Sequence, residues 1–149
     1  MDAQVVWREG HVLAGQGSRA ALTIAPREAQ AEAFGAKELV LLGLGGCTGL
    51  DVVYILEKMR VSPAAFAVEV HAEEAGEHPK YLKSFTLTYR FQGESLPPEH
   101  IVRAVELSMD RYCGVSRTLN GVASIRYRIV IGEEEVKSGE RPALVATAP

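Results

Sequence analysis

Residues 38–60 read ELVLLGLGGCTGLDVVYILEKMR, and this segment constrains the fold more than any other part of the chain. Its first seven residues are almost wholly apolar, and after Leu50 only a narrow polar stripe interrupts the apolar surface. A helix that is apolar nearly all round is a buried helix, so the pattern predicts a central one. The pair Gly45-Gly46 weakens helix locally, which predicts either two helical pieces that meet near Cys47 or one helix kinked there.

Strand patterns lie on both sides of this helix. Three short runs before it predict strands, and two alternating runs after it predict an antiparallel hairpin with one face on a core. A Pro-Pro-Glu start predicts a second helix, because proline and an acid both suit a first helical turn. The predicted strands are 4–7, 11–14, 20–25, 64–75, 82–92 and 124–131, and the second helix runs from 97 to 112. This order predicts an α+β fold, an antiparallel sheet with helices on one face.

The composition is that of an ordinary globular protein: of 149 residues, 47% are apolar and 23% charged, and the net charge is −3. These values exclude a disordered chain and predict no nucleic-acid partner. We expect no apolar run of membrane-helix length and no membrane partner. The start lacks a secretory signal pattern, which predicts a cytoplasmic protein. The length predicts one domain, residues 1–137, and a flexible Pro/Ala-rich tail, residues 138–149.

The apolar helix and the cysteine count each carry a further expectation. A helix this apolar needs more cover than one small sheet supplies, so we expect a homodimer packed around it.

The chain has two cysteines and four histidines. Two cysteines are too few for a disulfide-stapled small protein or for a zinc site built on cysteine alone. No histidine lies at metal-motif spacing from another histidine or from a cysteine, so we expect no metal.

The two cysteines suggest redox chemistry. Cys47 follows two glycines, and the sequence places it at the start of a helical piece, where unpaired N–H groups and the helix dipole favour a thiolate. Cys113 lies far along the chain from it, at a predicted junction between helices. A thiolate that is oxidised to a sulfenic acid, with a second cysteine to resolve it, completes a reduction cycle for a peroxide. The alternative is a pair of small buried side chains, since free cysteine is among the most buried residue types.

The segment that begins GGCTGLDVV at Gly45 resembles the OsmC/Ohr family of cysteine-dependent peroxidases. It is similar to an uncharacterised bacterial branch whose helix carries GGC(S/T)xxDVV. The segment 112–117, YCGVSR, resembles the second-cysteine segment of that family, usually CPxS. The order of elements matches over nearly the whole chain. The resemblance implies an OsmC-like fold of antiparallel sheets around a buried central helix, in an intertwined homodimer with two active sites at the subunit interface.

The same resemblance implies an activity. It makes Cys47 the peroxidatic thiol and Cys113 the resolving thiol, in a protein of oxidative or osmotic stress defence. Organic hydroperoxides are the implied substrates, usually reduced better than hydrogen peroxide. A dithiol such as a lipoyl protein is the implied reductant, and no metal, flavin or haem cofactor is needed.

Peroxidases of this family also use an arginine to hold the thiolate and a glutamate to orient that arginine. Arg8 and Arg27 match the two usual places of the arginine, although each is equally explained as a solvated surface residue. The family's glutamate often stands ten positions before the reactive cysteine, where this chain has Lys37, and Glu38 is one residue nearer. One residue rotates a helical side chain by about 100°. Glu38 therefore either reaches across the subunit interface or is an ordinary first-turn acid.

Two more residues lie close to the cysteines in sequence. Asp51 follows Cys47 by one turn and either buffers the thiol or acts as an acid favourable to the helix dipole. Arg117 follows Cys113 by four residues and either lies near the disulfide or is solvated. A second interpretation, from a different class of protein, keeps the dimer and an apolar cleft for a small ligand, with the cysteines idle or redox-sensing.

Overall fold

The structure is a computed structural model that describes residues 1–145. In chain order its elements are β1 (Gln4–Glu9), β2 (Val12–Gln16), β3 (Ala21–Ile24), α1 (Ala36–Lys58), β4 (Ala65–Glu74), β5 (Leu82–Gln92), α2 (Pro98–Leu107), a π-helical turn (Ser108–Tyr112), α3 (Gly114–Asn120), β6 (Ser124–Ile131) and β7 (Glu134–Arg141). The chain forms two compact units, residues 1–42 and the part that begins at Gly43, so the boundary falls inside α1.

The first unit is built on an antiparallel sheet of three strands in the order β1-β2-β3. The glycine turns between the strands are where the sequence predicts them. Gly10 has a left-handed backbone with φ +48°, which residues other than glycine rarely adopt, so glycine suits the turn between β1 and β2. The segment between β3 and α1 forms turns, and Glu38 lies in the first turn of α1.

The second unit holds a four-stranded sheet in the order β4-β5-β6-β7. The predicted hairpin of β4 and β5 is confirmed, and β6 and β7 are also antiparallel. β5 and β6, however, are parallel, so the prediction of a purely antiparallel sheet is wrong at this pair. After β5 the chain crosses through the helices and enters β6 in the same direction as β5. Two parallel strands of one sheet need such a long crossover connection. The α+β class itself is confirmed.

One face of this sheet forms the core. Alternation along β5 buries Phe85, Leu87, Tyr89 and Phe91 on that face, and α2 covers it with Ile101 among its buried residues. The other face is exposed and carries ion pairs such as Arg90 with Glu69, 2.8 Å apart. The arginines of this face are therefore solvated and paired with acids.

α1 is one continuous helix of 23 residues, so the predicted break near Cys47 is wrong. The glycines serve close packing instead. A Cβ atom on Gly45 would lie 2.9 Å from Cγ2 of Val70, and one on Gly49 would lie 3.5 Å from Cγ2 of Val68. Glycine thus lets the helix lie directly on β4, and the cost in helix propensity is offset by that contact.

α1 is also less buried within the single chain than its sequence predicts. Only one stripe of the helix is fully buried, made of every fourth residue: Leu44, Thr48, Val52 and Leu56. On the opposite side Leu50 and Tyr54 are each 60% exposed. The single chain therefore covers one side of α1, and the homodimer expected to cover the rest of the helix stays a prediction.

α1 also corrects the expectation that no apolar run reaches membrane-helix length. It has 23 residues and a mean hydropathy of 2.0, which by length and composition suffice to cross a membrane. The core helix of a soluble protein meets the same criterion.

The C-terminal strand corrects the predicted tail. β7 runs to Arg141 and pairs with β6 from Glu134 onward, so the proposed tail boundary at 138 falls inside a strand. Beyond it, the N–H of Leu144 still donates to the carbonyl of Asn120, at 2.9 Å. Residues 146–149 of the predicted tail lie outside the described residues.

Candidate active site

Cys47 lies in the middle of α1, about three turns after the helix begins at Ala36, and it is half-buried. This position removes the reason for a thiolate that the sequence suggested. N–H groups inside a helix are engaged with carbonyls one turn back, and the dipole acts mainly within the first and last turns. The prediction that Cys47 lies at a helix N-terminus is therefore wrong.

Cys113 lies at the predicted junction of helices, between the π-helical turn and α3. It is 3% exposed, and its sulfur accepts a hydrogen bond from the N–H of Ser116 at 3.3 Å, so it caps α3. Burial raises the pKa of the Cys113 thiol, and the hydrogen bond from Ser116 acts in the opposite direction. The neighbouring Cys47 adds to the upward shift of this pKa.

The fold brings the two thiols together with a carboxylate. The Sγ atoms of Cys47 and Cys113 and a carboxylate oxygen of Asp51 all lie within 4.8 Å of one another. Cys47 and Asp51 share a face of α1 because they are one helical turn apart, whereas Cys113 arrives from a distant segment. This arrangement can form a disulfide after a modest approach of the two sulfurs, since the bond itself is about 2.05 Å long.

A buried chain of hydroxyl groups holds the carboxylate in place. Ser108 Oγ donates to Asp51 Oδ2 at 3.1 Å and lies 2.9 Å from Thr48 Oγ1, which in turn lies 2.7 Å from the hydroxyl of Tyr89. Burial raises the pKa of Tyr89, so this residue stays protonated. One signal of this network is visible in the sequence: Thr48 is a polar residue on the buried stripe of α1, where its neighbours one turn before and after are apolar.

A cavity of about 500 Å³ lies beside this site. Apolar and aromatic side chains dominate its wall, and two cations, Lys58 and Arg103, border it. Its lining residues are Asp51, Tyr54, Ile55, Lys58, Met59, Arg103, Leu107 and Tyr112. Asp51 thus connects the cavity to the thiol pair, and a small hydrophobic molecule with a polar group fits such a site.

Arg8, Arg27 and Glu38 belong to the first unit, and Arg117 follows Cys113 in α3. Arg8 is exposed in β1, and Arg27 is exposed in the turns after β3. Glu38 accepts a hydrogen bond from the N–H of Gly35 at 2.8 Å, so it acts on the N-terminus of its own helix. The roles of these three residues at the thiols stay predictions. Arg117 is exposed in α3, and its N–H donates to the carbonyl of Cys113 at 3.1 Å.

The fold and the paired thiols define an α+β protein with a two-cysteine site. A family model described as OsmC-like protein matches residues 29–128. Protein YhfA of Escherichia coli K12 is 30% identical over 127 residues, which make up 85% of this chain and 95% of that protein. The chain therefore belongs to the OsmC-like family, and the resemblance predicted from its two cysteine segments is confirmed.

Solved structures agree on the fold. An OsmC-like protein from Mycoplasma pneumoniae superposes with a TM-score of 0.76 at 18% identity, covering 87% of this chain and 95% of that one. An organic hydroperoxide resistance protein OsmC from Legionella pneumophila superposes with a TM-score of 0.61 at 14% identity, covering 87% of this chain and 94% of that one.

Proposed function

We propose that this protein is a thiol-dependent peroxidase that reduces organic hydroperoxides, and hydrogen peroxide less well, in oxidative or osmotic stress defence. The observation that carries the proposal is the approach of the Cys47 and Cys113 sulfurs to within 4.8 Å from segments that are far apart along the chain. The family supports it, since a member from Legionella pneumophila is an organic hydroperoxide resistance protein. An accessible thiol beside a second thiol is the arrangement that a peroxide-reducing cycle requires.

The chemistry takes two steps on the enzyme. The Cys47 thiolate attacks the terminal oxygen of the hydroperoxide, the O–O bond breaks, and the alkoxide leaves and takes up a proton as the alcohol. The Cys113 thiolate then attacks the sulfur of the Cys47 sulfenic acid, and hydroxide leaves and takes up a proton as water. The product is a disulfide, and the two electrons lost by the sulfurs have reduced the peroxide.

A dithiol then restores the enzyme. One of its thiolates attacks the disulfide, and the second releases the mixed disulfide, so both protein sulfurs regain their electrons. We propose a lipoyl-type dithiol, because intramolecular closure of the second step favours a dithiol over two separate monothiols. We further propose a cytoplasmic homodimer in which the exposed apolar side of α1, with Leu50 and Tyr54, is covered by a second copy.

The direct test treats the fully reduced protein with one equivalent of cumene hydroperoxide. We expect loss of both free thiols, formation of one equivalent of cumyl alcohol, and a Cys47–Cys113 cross-link in the peptide mass map. The variant Glu57→Gln, which changes an exposed carboxylate on the same helix, serves as the matched control and should react like the wild type. Hydroperoxide that remains unconsumed by the wild type would overturn the proposal.

The cavity of about 500 Å³ favours a second candidate function, the binding of a small apolar ligand. In that case the double variant Cys47→Ser/Cys113→Ser still binds hydrophobic ligands, and native mass spectrometry of the purified protein detects a bound molecule. Substitution of Leu107, which lines the cavity, by tryptophan fills the space and should abolish such binding. Binding without any peroxide consumption would place this function first.

A further inference from the structure

The three atoms at the centre of the site form a donor set as well as a redox pair. Two thiol sulfurs and one carboxylate oxygen lie within 4.8 Å of one another, on Cys47, Cys113 and Asp51. Thiolate and carboxylate donors together suit Zn²⁺ and similar thiophilic divalent cations. We propose that the reduced protein binds one such cation through these three side chains, with the fourth position open.

The distances are compatible with this coordination. Zn–S bonds of about 2.3 Å and Zn–O bonds of about 2.0 Å in a tetrahedron place the donors roughly 3.5 to 4 Å apart. Donor atoms that already lie within 4.8 Å of one another therefore need only small side-chain movements. Two of the three donors come from one face of α1, so the helix fixes their spacing, and only Cys113 belongs to another element.

Neighbouring hydrogen bonds orient two of the donors. Ser108 donates to Oδ2 of Asp51 at 3.1 Å, which leaves the other carboxylate oxygen available. The N–H of Ser116 donates to the sulfur of Cys113 at 3.3 Å. Outer hydrogen bonds of this kind hold ligands in the direction that a metal requires. The sequence could not indicate the site, because metal-binding motifs place most of their ligands close together along the chain, whereas Cys113 is remote from Cys47 in sequence.

The metal-bound state and the disulfide state would exclude each other. A cation on both sulfurs shares their lone pairs and slows their attack on a peroxide, and a disulfide removes both sulfur ligands. In the oxidation of the loaded site, two thiolates give two electrons to the O–O bond, and the hydroperoxide takes up two protons and leaves as alcohol and water. The cation departs with its charge unchanged. The proposed site is thus one that loses its metal on oxidation, although the binding itself does not require the protein to be a peroxidase.

The test titrates the reduced full-length protein with Co²⁺ under anaerobic conditions. We expect one equivalent to bind with a thiolate-to-cobalt charge-transfer band and tetrahedral visible bands, and Zn²⁺ to displace the cobalt. Cys47→Ser and Cys113→Ala should each lose most of the charge-transfer intensity. Asp51→Asn should raise the Kd for Co²⁺ by about tenfold or more, because even partners of ligands contribute that much. Glu57→Gln is the matched control and should keep the wild-type Kd.

One further expected outcome and three contrary results decide the proposal. Wild-type protein oxidised to the disulfide should bind no cobalt, a result that needs no substitution and so holds even if a cysteine variant fails to fold. The proposal is overturned by a reduced wild type without a charge-transfer band, by a band that persists in Cys47→Ser, or by an Asp51→Asn variant whose Kd equals that of the wild type. None of these readouts depends on peroxide, so failure of the metal site and failure of the peroxidase are distinguishable.

Discussion

The two segments that carry the thiols are built in opposite ways. Cys47 lies inside the uniform helix α1, where the surrounding N–H groups are already engaged. Cys113 lies where a π-helical turn gives way to α3, and the N–H of Ser116 points at its sulfur. The helix N-terminus that the sequence assigned to Cys47 therefore belongs to Cys113.

The two thiols differ in solvent exposure as well as in the N–H groups around them. Cys47 is half-buried in its helix, whereas Cys113 is 3% exposed despite its cap position. In the proposed reaction a hydroperoxide has to reach the sulfur that attacks it, so the greater exposure of Cys47 favours it for the first step. The buried Cys113 is suited to react with a sulfenic acid that forms beside it.

The largest expected effect comes from replacing the thiols one at a time. Cys47→Ser should lower the second-order rate with cumene hydroperoxide by about 1,000-fold or more, because it removes the nucleophile. Cys113→Ser should leave the first attack nearly unchanged but stop the cycle at a sulfenic acid that dimedone traps. Stopped-flow kinetics and mass spectrometry measure both. Equal losses of rate in the two variants would contradict the order of attack.

The next largest effects are changes in stability that differ between the two sides of the helix that carries Cys47. Leu44→Ala should lower the free energy of unfolding by about 2 to 5 kcal/mol, because Leu44 is fully buried and its removal leaves a cavity. Leu50→Lys, on the exposed side, should instead abolish the dependence of the urea midpoint on protein concentration that a dimer produces. A wild-type midpoint that is independent of concentration would contradict the proposed dimer.

A smaller effect concerns the contact between the segments. Ser108→Ala removes the donor to Asp51 and a partner of Thr48, and should lower the free energy of unfolding by about 1 to 3 kcal/mol, since buried polar atoms lose a hydrogen bond. Ser18→Ala, at an exposed turn, is the control and should change little. Urea denaturation of both variants makes the measurement, and equal stabilities would show that the hydroxyl chain contributes nothing.

The smallest effect is the pH dependence of protein stability that the Cys113 thiol causes. Its pKa is raised in the folded protein by burial, so the folded thiol keeps its proton where the unfolded thiol, with a pKa of about 8.5, has begun to lose it. Between these two pKa values the unfolded chain binds fewer protons, and stability falls as pH rises. Wild type should therefore lose stability relative to Cys113→Ala above about pH 8.5. A difference that stays constant across this range, measured by thermal unfolding, would count against a buried Cys113 thiol.

The sequence predicted the elements better than their relations. Apolar alternation and glycine turns located most strands, because these signals are local. The parallel pairing of β5 and β6 and the strand β7 were not predicted, since pairing depends on where the chain returns after a long crossover. The prediction of a helix break at Gly45 was wrong because the residue that explains this glycine, Val70, belongs to another element. Val70 lies on β4 and leaves no room for a Cβ atom at position 45.

The candidate site, like the fold, was predictable from the sequence only in part. The family resemblance named both cysteines, and spacing along a helix placed Asp51 beside Cys47. Thr48, a polar residue on the buried stripe of α1, is the one local signal of the hydrogen-bonded chain. Nothing local links it to Tyr89 and Ser108, because the three residues come from three elements.

Cys113 belongs to the connection between β5 and β6, residues 93–123, so β4, β5 and α2 lie between it and Cys47 along the chain. Closing so long a loop is slow and entropically costly in a chain that has not yet folded. A growing polypeptide on the ribosome thus displays Cys47 well before its partner emerges, and during that interval an oxidant meets a lone sulfur for which no internal disulfide is available.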